Sequence, residues 1–270
     1  MRYLIPALLL CVSLGSAQKP PVPKMPDGKP DLSGIWQGGG AAGLAFAIGA
    51  DNAKAARPDA APAQGGRGAG GNVARPEPAP YQDWVQPKLK EIRDRRSIDD
   101  PSGRCLLVGV PRITSMPLPI KIVQTKDEVI FMYETFHAFR VIPTDGRRHP
   151  DDMDPSFMGD SVGHWEGDTL VVDVAGFNDK TWLGVGGASI HSDALHVVER
   201  YQRVDYDTIT YNVLIEDPKV FTKSWNAAPS FLSLRPEERL REYECIADNQ
   251  DLLRFEELLK NPSLFVRPPQ

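Results

Sequence analysis

All five histidines of the 270-residue chain fall between positions 137 and 196, where carboxylates are also frequent. His164 and Glu166 are two residues apart, so on a β-strand their side chains would lie on the same face. A histidine and a carboxylate on one face can act as a general acid and base, or as two metal ligands. The alternative is structural, with Glu166 and Asp168 accepting backbone N–H bonds in a tight turn. We take His164 and Glu166 as candidate catalytic residues and Asp168 as a turn residue.

The run His191-Ser192-Asp193 follows a glycine-rich stretch and is predicted to lie on a loop. Ser192 lacks the Gly-x-Ser-x-Gly turn of a serine nucleophile, so a catalytic triad is not indicated. The structural alternative is a loop turn in which Ser192 or Asp193 caps backbone groups. We retain His191 and Asp193 as catalytic candidates.

Further polar and aromatic residues are predicted to bind a ligand. His196 and Glu199 are an odd number of residues apart, so on one strand they face opposite sides and one points inward. Arg140 lies inside an apolar strand, and its guanidinium can hold a carboxylate or phosphate. For the aromatic candidates, packing in the core is the alternative. The ligand-binding candidates are Arg140, Asp160, Trp165, Trp182, His196 and Glu199.

Metal binding is not predicted. A zinc site needs at least three ligands in range, and His164, His191 and His196 are the available histidines. The spacings His-x-His and His-Glu-x-x-His are both missing from the sequence. We therefore predict neither a metal nor a cofactor.

The N-terminus has the features of a cleavable signal peptide. Arg2 supplies a positive charge, Leu4 to Leu14 is apolar but too short to span a bilayer, and small residues end the stretch at Ala17. Cleavage there predicts an exported, periplasmic or secreted protein with no membrane span. The formal net charge of −5 argues against nucleic acid or an anionic membrane as partner.

Two of the three cysteines, Cys105 and Cys245, lie beyond the predicted signal peptide. An oxidising compartment favours one disulfide between them, and two separate buried thiols are the alternative.

The rest of the chain is predicted to form one β-rich domain. Successive hairpins are expected at 120–133, 165–174 and 197–215, with a further strand at 241–246 and short helices at 81–96 and 252–259. Hairpins without intervening helices indicate an antiparallel meander. Closing it into a barrel removes exposed edges, so a lipocalin-like barrel is preferred over a sandwich. The predicted segments are a signal peptide at 1–17, a polar linker at 18–30, a first strand at 31–36, an Ala/Gly/Pro insertion at 37–80 predicted to be disordered, and the remainder of the domain at 81–270.

Two sequence resemblances support this organisation. Gly34-x-Trp36 before antiparallel hairpins resembles the entry strand of lipocalin-like (calycin) barrels. A longer match resembles a family of exported bacterial β-rich proteins without an established activity, so it implies export and fold but no reaction. That match comprises Asp31–Trp36, Gly159–Asp173 (GDSVGHWEGDTLVVD), Gly176–Asp179, Thr181–Trp182, His191–Asp193, Glu199–Tyr201, Glu216–Pro218 and Glu242–Cys245.

Three functions are compatible with the sequence. The preferred hypothesis is a small-molecule-binding barrel with a polar pocket that contains His, Asp and Glu. The second is a cofactor-free hydrolase, lyase or isomerase that uses His164 or His191 with nearby carboxylates. The third is a structural or interaction protein of the cell envelope. Convergence of His164, Glu166, His191 and His196 on one cavity would favour the enzyme.

Overall fold

The computed structural model describes residues 20–38, 79–95, 99–184, 189–227, 229–245, 257, 260 and 261. The predicted signal peptide, nearly all of the 37–80 insertion and the predicted helix at 252–259 lie outside the described residues, apart from position 257. The strands are β1 Gly34–Gly38, β2 Pro119–Gln124, β3 Glu128–Tyr133, β4 Phe139–Pro143, β5 Asp160–Glu166, β6 Thr169–Ala175, β7 His196–Asp205, β8 Thr208–Glu216, β9 Trp225–Asn226 and β10 Ser230–Leu234.

One antiparallel sheet curls into a nearly closed barrel. Its order is β4-β3-β2-β1-β10-β8-β7-β6-β5, and the short strand β9 pairs with β8. Two meanders, β2 to β4 and β5 to β8, are joined through β1 and β10. The prediction of a mainly β, antiparallel barrel is confirmed, and all three predicted hairpins form.

Alternating side chains separate the inside of the barrel from its outside. In β8, Ile209, Tyr211, Val213 and Ile215 are buried, and the residues between them are more exposed. The pattern follows from the pleat of the strand, which turns successive side chains to opposite faces. Glu199 in β7 is fully buried, and His196 lies on the outer face, as their odd spacing predicts.

Side chains and a loop cover the two ends of the barrel. At one end, the indole of Trp36 donates to the carbonyl oxygen of Leu32 at 2.9 Å, and the Arg203 guanidinium lies 5.0 Å from the Trp36 ring centroid. At the other end, the short 3₁₀ helix Arg112–Ser115 is buried. Its Thr114 hydroxyl lies 3.4 Å from the hydroxyl of Tyr201, inside the barrel. The same end carries α1, Val85–Asp94, within the predicted helical region.

The C-terminal part of the described chain differs from the expectation. No strand forms at 241–245 among the described residues, so the predicted strand at 241–246 is wrong there. The backbone amides of Arg241 and Tyr243 donate instead to the side chains of Glu134 and His137. These side-chain acceptors take the place of a neighbouring strand. The predicted disulfide between Cys105 and Cys245 is present, with the Cα atoms 5.5 Å apart.

Candidate functional site

Five alternating carboxylates and imidazoles form a continuous chain on the outer face of β5 to β8. The Nδ1 and Nε2 atoms of His149 lie 2.5 Å from Asp160 and 2.8 Å from Asp173. The Nε2 and Nδ1 atoms of His196 lie 2.8 Å from Asp173 and 2.8 Å from Glu216. We call Asp160–His149–Asp173–His196–Glu216 the histidine–carboxylate chain.

Sheet register places the members of this chain. Asp160, Asp173, His196 and Glu216 come from β5, β6, β7 and β8, near the same end of the barrel, and His196 pairs directly with Glu216. His149 lies on the connection between β4 and β5 and folds back between two of the carboxylates.

Electrostatics favour protonated imidazoles in the chain. Partial burial lowers the pKa of His149, but the hydrogen bonds with Asp160 and Asp173 outweigh it, so the pKa is raised. The same balance raises the pKa of His196, through Glu216 and Asp173. For Asp173, burial raises the pKa, and the two histidines outweigh it and lower the pKa.

A surface cleft of about 600 Å³ adjoins one end of the histidine–carboxylate chain. Glu216 belongs to both, because it contacts His196 and also lines the cleft. The cleft wall combines polar and apolar groups from the segment after β8 and from the residues before α1. The lining residues are Gln82, Glu216, Asp217, Pro218, Phe221, Thr222, Lys223 and Ser224.

A second polar cluster fills part of the barrel interior. The Arg140 Nη2 atom donates to Glu199 at 2.6 Å and to the Ser161 hydroxyl at 2.9 Å. The other Glu199 oxygen accepts from the hydroxyls of Tyr201 at 2.8 Å and Tyr211 at 2.6 Å. The Arg140 and Glu199 side chains are only 3% and 0% exposed. This is a buried ion pair in which both carboxylate oxygens are hydrogen-bonded.

Burial shifts the pKa values of the interior cluster, together with the charges inside it. It raises the pKa of the Tyr201 and Tyr211 hydroxyls well above the ordinary value, and the negative charge of Glu199 raises them further. Burial lowers the pKa of Arg140, but the Glu199 carboxylate and the neighbouring tyrosines outweigh this and hold it well above the ordinary value. Both tyrosines therefore stay neutral donors to Glu199 over the physiological range.

The predicted catalytic residues do not converge. His164 and Glu166 lie on the outside of β5, 3.1 Å apart, with side chains that are 57% and 49% exposed. Glu166 also accepts from Arg200 at 2.7 Å, and the hydrogen bonds from Arg200 and then His164 lower its pKa. Asp193 lies elsewhere on the surface and pairs with Lys219 at 2.5 Å.

His191 is a buried residue of the loop before β7. Its Nδ1 atom donates to the carbonyl oxygen of Ser192 at 2.9 Å, so Nε2 accepts from the Thr181 hydroxyl at 2.6 Å. Burial lowers the pKa of His191, in agreement with this neutral form. The Nε2 lone pair of His191 therefore already accepts a hydrogen bond within the protein.

The two tryptophan candidates lie in different surroundings. Trp182 is buried, and its backbone pairs with Ile190. Trp165 is partly exposed, and the Lys29 ammonium lies 5.8 Å from its ring centroid. The catalytic and ligand-binding roles of all these residues stay predictions.

Sequence reasoning singled out Asp160 and His196 but missed how they are joined. His149 lies in a polar segment that reads as an exposed turn. The sequence does contain a signal for Asp173, because it is the one carboxylate within the apolar strand Thr169–Ala175. Glu216 belongs to the motif Glu216–Pro218, which implies no role for it. The contact between His149 and Asp173 depends on the fold of the β4–β5 connection, which strand patterns do not describe.

Across the described ranges, no group of three or more His, Cys, Asp or Glu side chains is arranged to hold a metal ion. No helix in that part of the chain is long and apolar enough to cross a membrane. Comparisons with protein-family models, with curated proteins and with solved structures find no match. The function proposed below therefore rests on the barrel and on its side-chain geometry.

Proposed function

We propose that this chain is an exported small-molecule-binding barrel protein whose ligand occupies the cleft beside β8. The observation that carries the proposal is the cleft of about 600 Å³ with the Glu216 carboxylate on its wall. Ligand pockets typically have volumes of about 300 to 1,000 Å³ and combine apolar walls with a few polar groups. The cleft wall carries the carboxylates of Glu216 and Asp217, and His196 contacts the cleft through Glu216; the ligand-binding candidates from the sequence are not among its lining residues.

Existing hydrogen bonds define which cleft groups are left for a ligand. Asp217 accepts from Ser192 and from the backbone amide of Lys219. The Thr222 hydroxyl donates to the carbonyl oxygen of Pro80, and the Gln82 amide donates to that of Pro218. Glu216, Lys223 and Ser224 are the polar groups that we assign to ligand binding, since the bond to His196 uses only one oxygen of Glu216.

The barrel interior is less suitable for a ligand. Trp36, Phe131 and Tyr211 are among the bulky side chains that are fully buried. The ion pair between Arg140 and Glu199 directs its groups at each other. A ligand at this position would have to break that pair, so we place the ligand in the outer cleft.

Export is supported by the predicted signal peptide at 1–17 and by the Cys105–Cys245 disulfide. Disulfides persist in oxidising compartments outside the cytoplasm. The resemblance to an exported bacterial family supports the same location.

A ligand screen with a blocked cleft tests this function. The full chain without its signal peptide is screened against pooled metabolites by ligand-observed NMR. In the Lys223→Trp variant, the larger side chain fills the cleft, so binding of the hits should fall at least about tenfold. The matched control, Lys126→Trp, replaces another exposed lysine, in the β2–β3 turn, and should leave binding unchanged. Hits that bind both variants equally would show that the cleft is not the site.

A second function, acid–base catalysis in the same cleft, is favoured by the histidine–carboxylate chain. When His196 is neutral and its Nε2–H donates to Asp173, the Glu216 carboxylate can accept a substrate proton and pass it to the Nδ1 atom of His196. In this reading, His196 with Glu216 takes the role that the sequence assigned to His164 or His191 with a nearby carboxylate. Hits from the screen that are chemically converted by the protein, but not by Glu216→Gln, would establish turnover. Binding without conversion would support the binding function and exclude the catalytic one for those compounds.

A further inference from the structure

The histidine–carboxylate chain contains more acceptors than neutral imidazoles can satisfy. Four imidazole nitrogens, two from His149 and two from His196, each face a carboxylate oxygen. An ionised carboxylate only accepts, and a neutral imidazole has one N–H donor. All four contacts are hydrogen bonds only when the histidine–carboxylate chain holds two more protons than it has with neutral imidazoles and ionised carboxylates. Two imidazolium groups and three carboxylates then carry a combined charge of −1.

The charged groups around His196 come from three strands and from the β4–β5 connection. Glu216 on β8 and Asp173 on β6 face its two nitrogens, and His149 lies on the other side of Asp173. Asp160 on β5 completes the chain beyond His149. The His196 proton therefore binds between two carboxylates and is the proton nearest the cleft.

The cleft wall holds two carboxylates, Glu216 and Asp217, and one ammonium group, and the Asp217 oxygens already accept hydrogen bonds from Ser192 and the Lys219 amide. Glu216 is negative, and the exposed Lys223 is positive. No hydrogen bond or ion pair to Lys223 is formed by any residue that the structure describes. A ligand that carries only an ammonium group would be repelled by Lys223, and one that carries only a carboxylate would be repelled by Glu216. A small zwitterion meets both charges favourably.

We propose that the cleft binds small zwitterions, with the ammonium group at Glu216 and the anionic group at Lys223, and that the ligand ammonium competes with the His196 proton for Glu216. This inference rests on the proposed binding function and names its ligand class and its control by pH. A ligand cation beside Glu216 disfavours the positive charge on His196, so binding releases a proton. Affinity therefore rises with pH while His196 loses its proton, by up to about tenfold per pH unit for one proton.

The experiment titrates uniformly ¹⁵N-labelled protein with ω-amino carboxylates of three to six carbons, which vary the distance between the two charges. Butylamine and butyrate are the singly charged controls. The backbone amides of Gln82 and Ser224 report on the cleft. The ω-amino group of such ligands titrates near the lysine value of about 10.4, so the ligand stays zwitterionic between about pH 6 and about pH 9.

We expect at least one ω-amino carboxylate to shift these amides, with an affinity about fivefold or more higher at about pH 9 than at about pH 6. Butylamine and butyrate should bind more weakly than that zwitterion. His196→Gln keeps a polar side chain beside Glu216 but cannot take up the proton, so binding should persist without the pH dependence. His164→Gln replaces an exposed histidine outside the histidine–carboxylate chain, so this variant should retain the pH dependence of binding.

Three outcomes would contradict the inference, and they differ from failure of the proposed function. Binding that depends on pH equally in the wild type and in His196→Gln would exclude competition for Glu216. Tighter binding of either singly charged control would exclude the zwitterion. If no ω-amino carboxylate binds but metabolites from the screen occupy the cleft, the ligand class is wrong and the binding function stands. If no compound of either set reaches the cleft, both fail.

Discussion

At the residue scale, burial distinguishes two ion pairs whose N–O distances are similar. The Arg140–Glu199 pair at 2.6 Å and the Arg200–Glu166 pair at 2.7 Å differ by only 0.1 Å. The first lies inside the barrel, and the second is exposed on its outer face. A buried charge that loses its partner has no water to replace it, whereas an exposed charge does. The two pairs are therefore expected to respond very differently to the same substitution.

Replacing Glu199 by Gln is expected to destabilise the protein by about 3 kcal/mol, because Arg140 would keep a buried and unpaired charge. Urea unfolding followed by circular dichroism measures the difference. Glu166→Gln is the matched control and should change the unfolding midpoint little. A small effect of Glu199→Gln would show that water reaches the interior and that Arg140 is not sealed inside the barrel.

The histidine–carboxylate chain should make stability depend on pH. The pKa values of His149 and His196 are raised in the folded protein, so their contribution is complete below the ordinary histidine value of about 6.5 and is lost as pH rises through the raised values. The pKa of Asp173 is lowered, so its contribution is present above about 3.9 and is lost as pH falls through the lowered value. The chain stabilises the fold most between about pH 4 and about pH 6.5.

The double variant His149→Gln with His196→Gln tests this dependence. Solvent screens these partly exposed groups, so we expect a loss of about 1 kcal/mol or less near pH 5. The difference from wild type should shrink as pH rises toward about 9. Urea unfolding across this range measures it, and His164→Gln serves as the control. A stability difference that stays constant over the whole range would exclude charged histidines in the chain.

At the scale of the elements, the seam between β4 and β5 closes the barrel. These two strands are the ends of the hydrogen-bonded order, and side chains join them. Arg140 on β4 donates to Ser161 on β5, and Gly163 lets the strands approach closely. A Cβ atom at Gly163 would lie 2.8 Å from a methyl group of Ile142. The glycine is thus needed for space, although its position in the family-like motif gave no reason for it.

Gly163→Ala is expected to destabilise the barrel by about 1 to 3 kcal/mol, because the added methyl group forces Ile142 to move. Chemical denaturation gives the free energy of unfolding, and amide hydrogen exchange in β4 and β5 localises the effect. A glycine with open surroundings, Gly146, is the control, and its replacement by Asn keeps a residue that tolerates positive φ. Equal exchange rates in Gly163→Ala and wild type would show that the seam has room for a side chain.

At the scale of the whole molecule, the disulfide connects regions that are 140 residues apart in the sequence. It ties Cys245, beyond the last strand, to Cys105, before the first hairpin. The segment beside Cys245 also contacts the β3–β4 turn, where the Tyr243 and Phe136 rings lie 5.3 Å apart. The cross-link thus fastens the C-terminal segment to the end of the barrel that carries the proposed cleft.

The double variant Cys105→Ser with Cys245→Ser should lose about 2 to 4 kcal/mol of stability, since the unfolded chain regains the freedom of a long loop. Thermal or urea unfolding measures the loss. Amide exchange at Arg241 and Tyr243 should also accelerate, because the disulfide no longer holds their hydrogen bonds in place. The Tm of wild type after reduction should match that of the double variant. An unchanged Tm in both would mean that the two thiols do not form this bond in solution.

Local sequence patterns predicted the three hairpins but not β9 and β10, and they placed the first strand at 31–36 where the structure has Gly34–Gly38. Alternation in β7 and β8 predicted that Glu199 and His196 face opposite sides, and the turn-forming residues at 126–127 and 167–168 predicted two hairpins. These features depend on residues that are neighbours along the chain, so local sequence patterns can predict them. The predicted strand at 241–246 was wrong over 241–245 because its amides found side-chain acceptors that no local pattern specifies.

Only the tertiary structure decided which polar residues meet. His164 and His191 were as plausible as His196 from the sequence, yet one is exposed and one is sealed in a loop. The partners of His196 are 20 and 23 residues away along the chain, and the fold brings them within 2.8 Å. Distance along the chain does not fix distance in space, so the residue types indicated polar candidates, and only the packing of β5 to β8 decided that His196 meets Asp173 and Glu216.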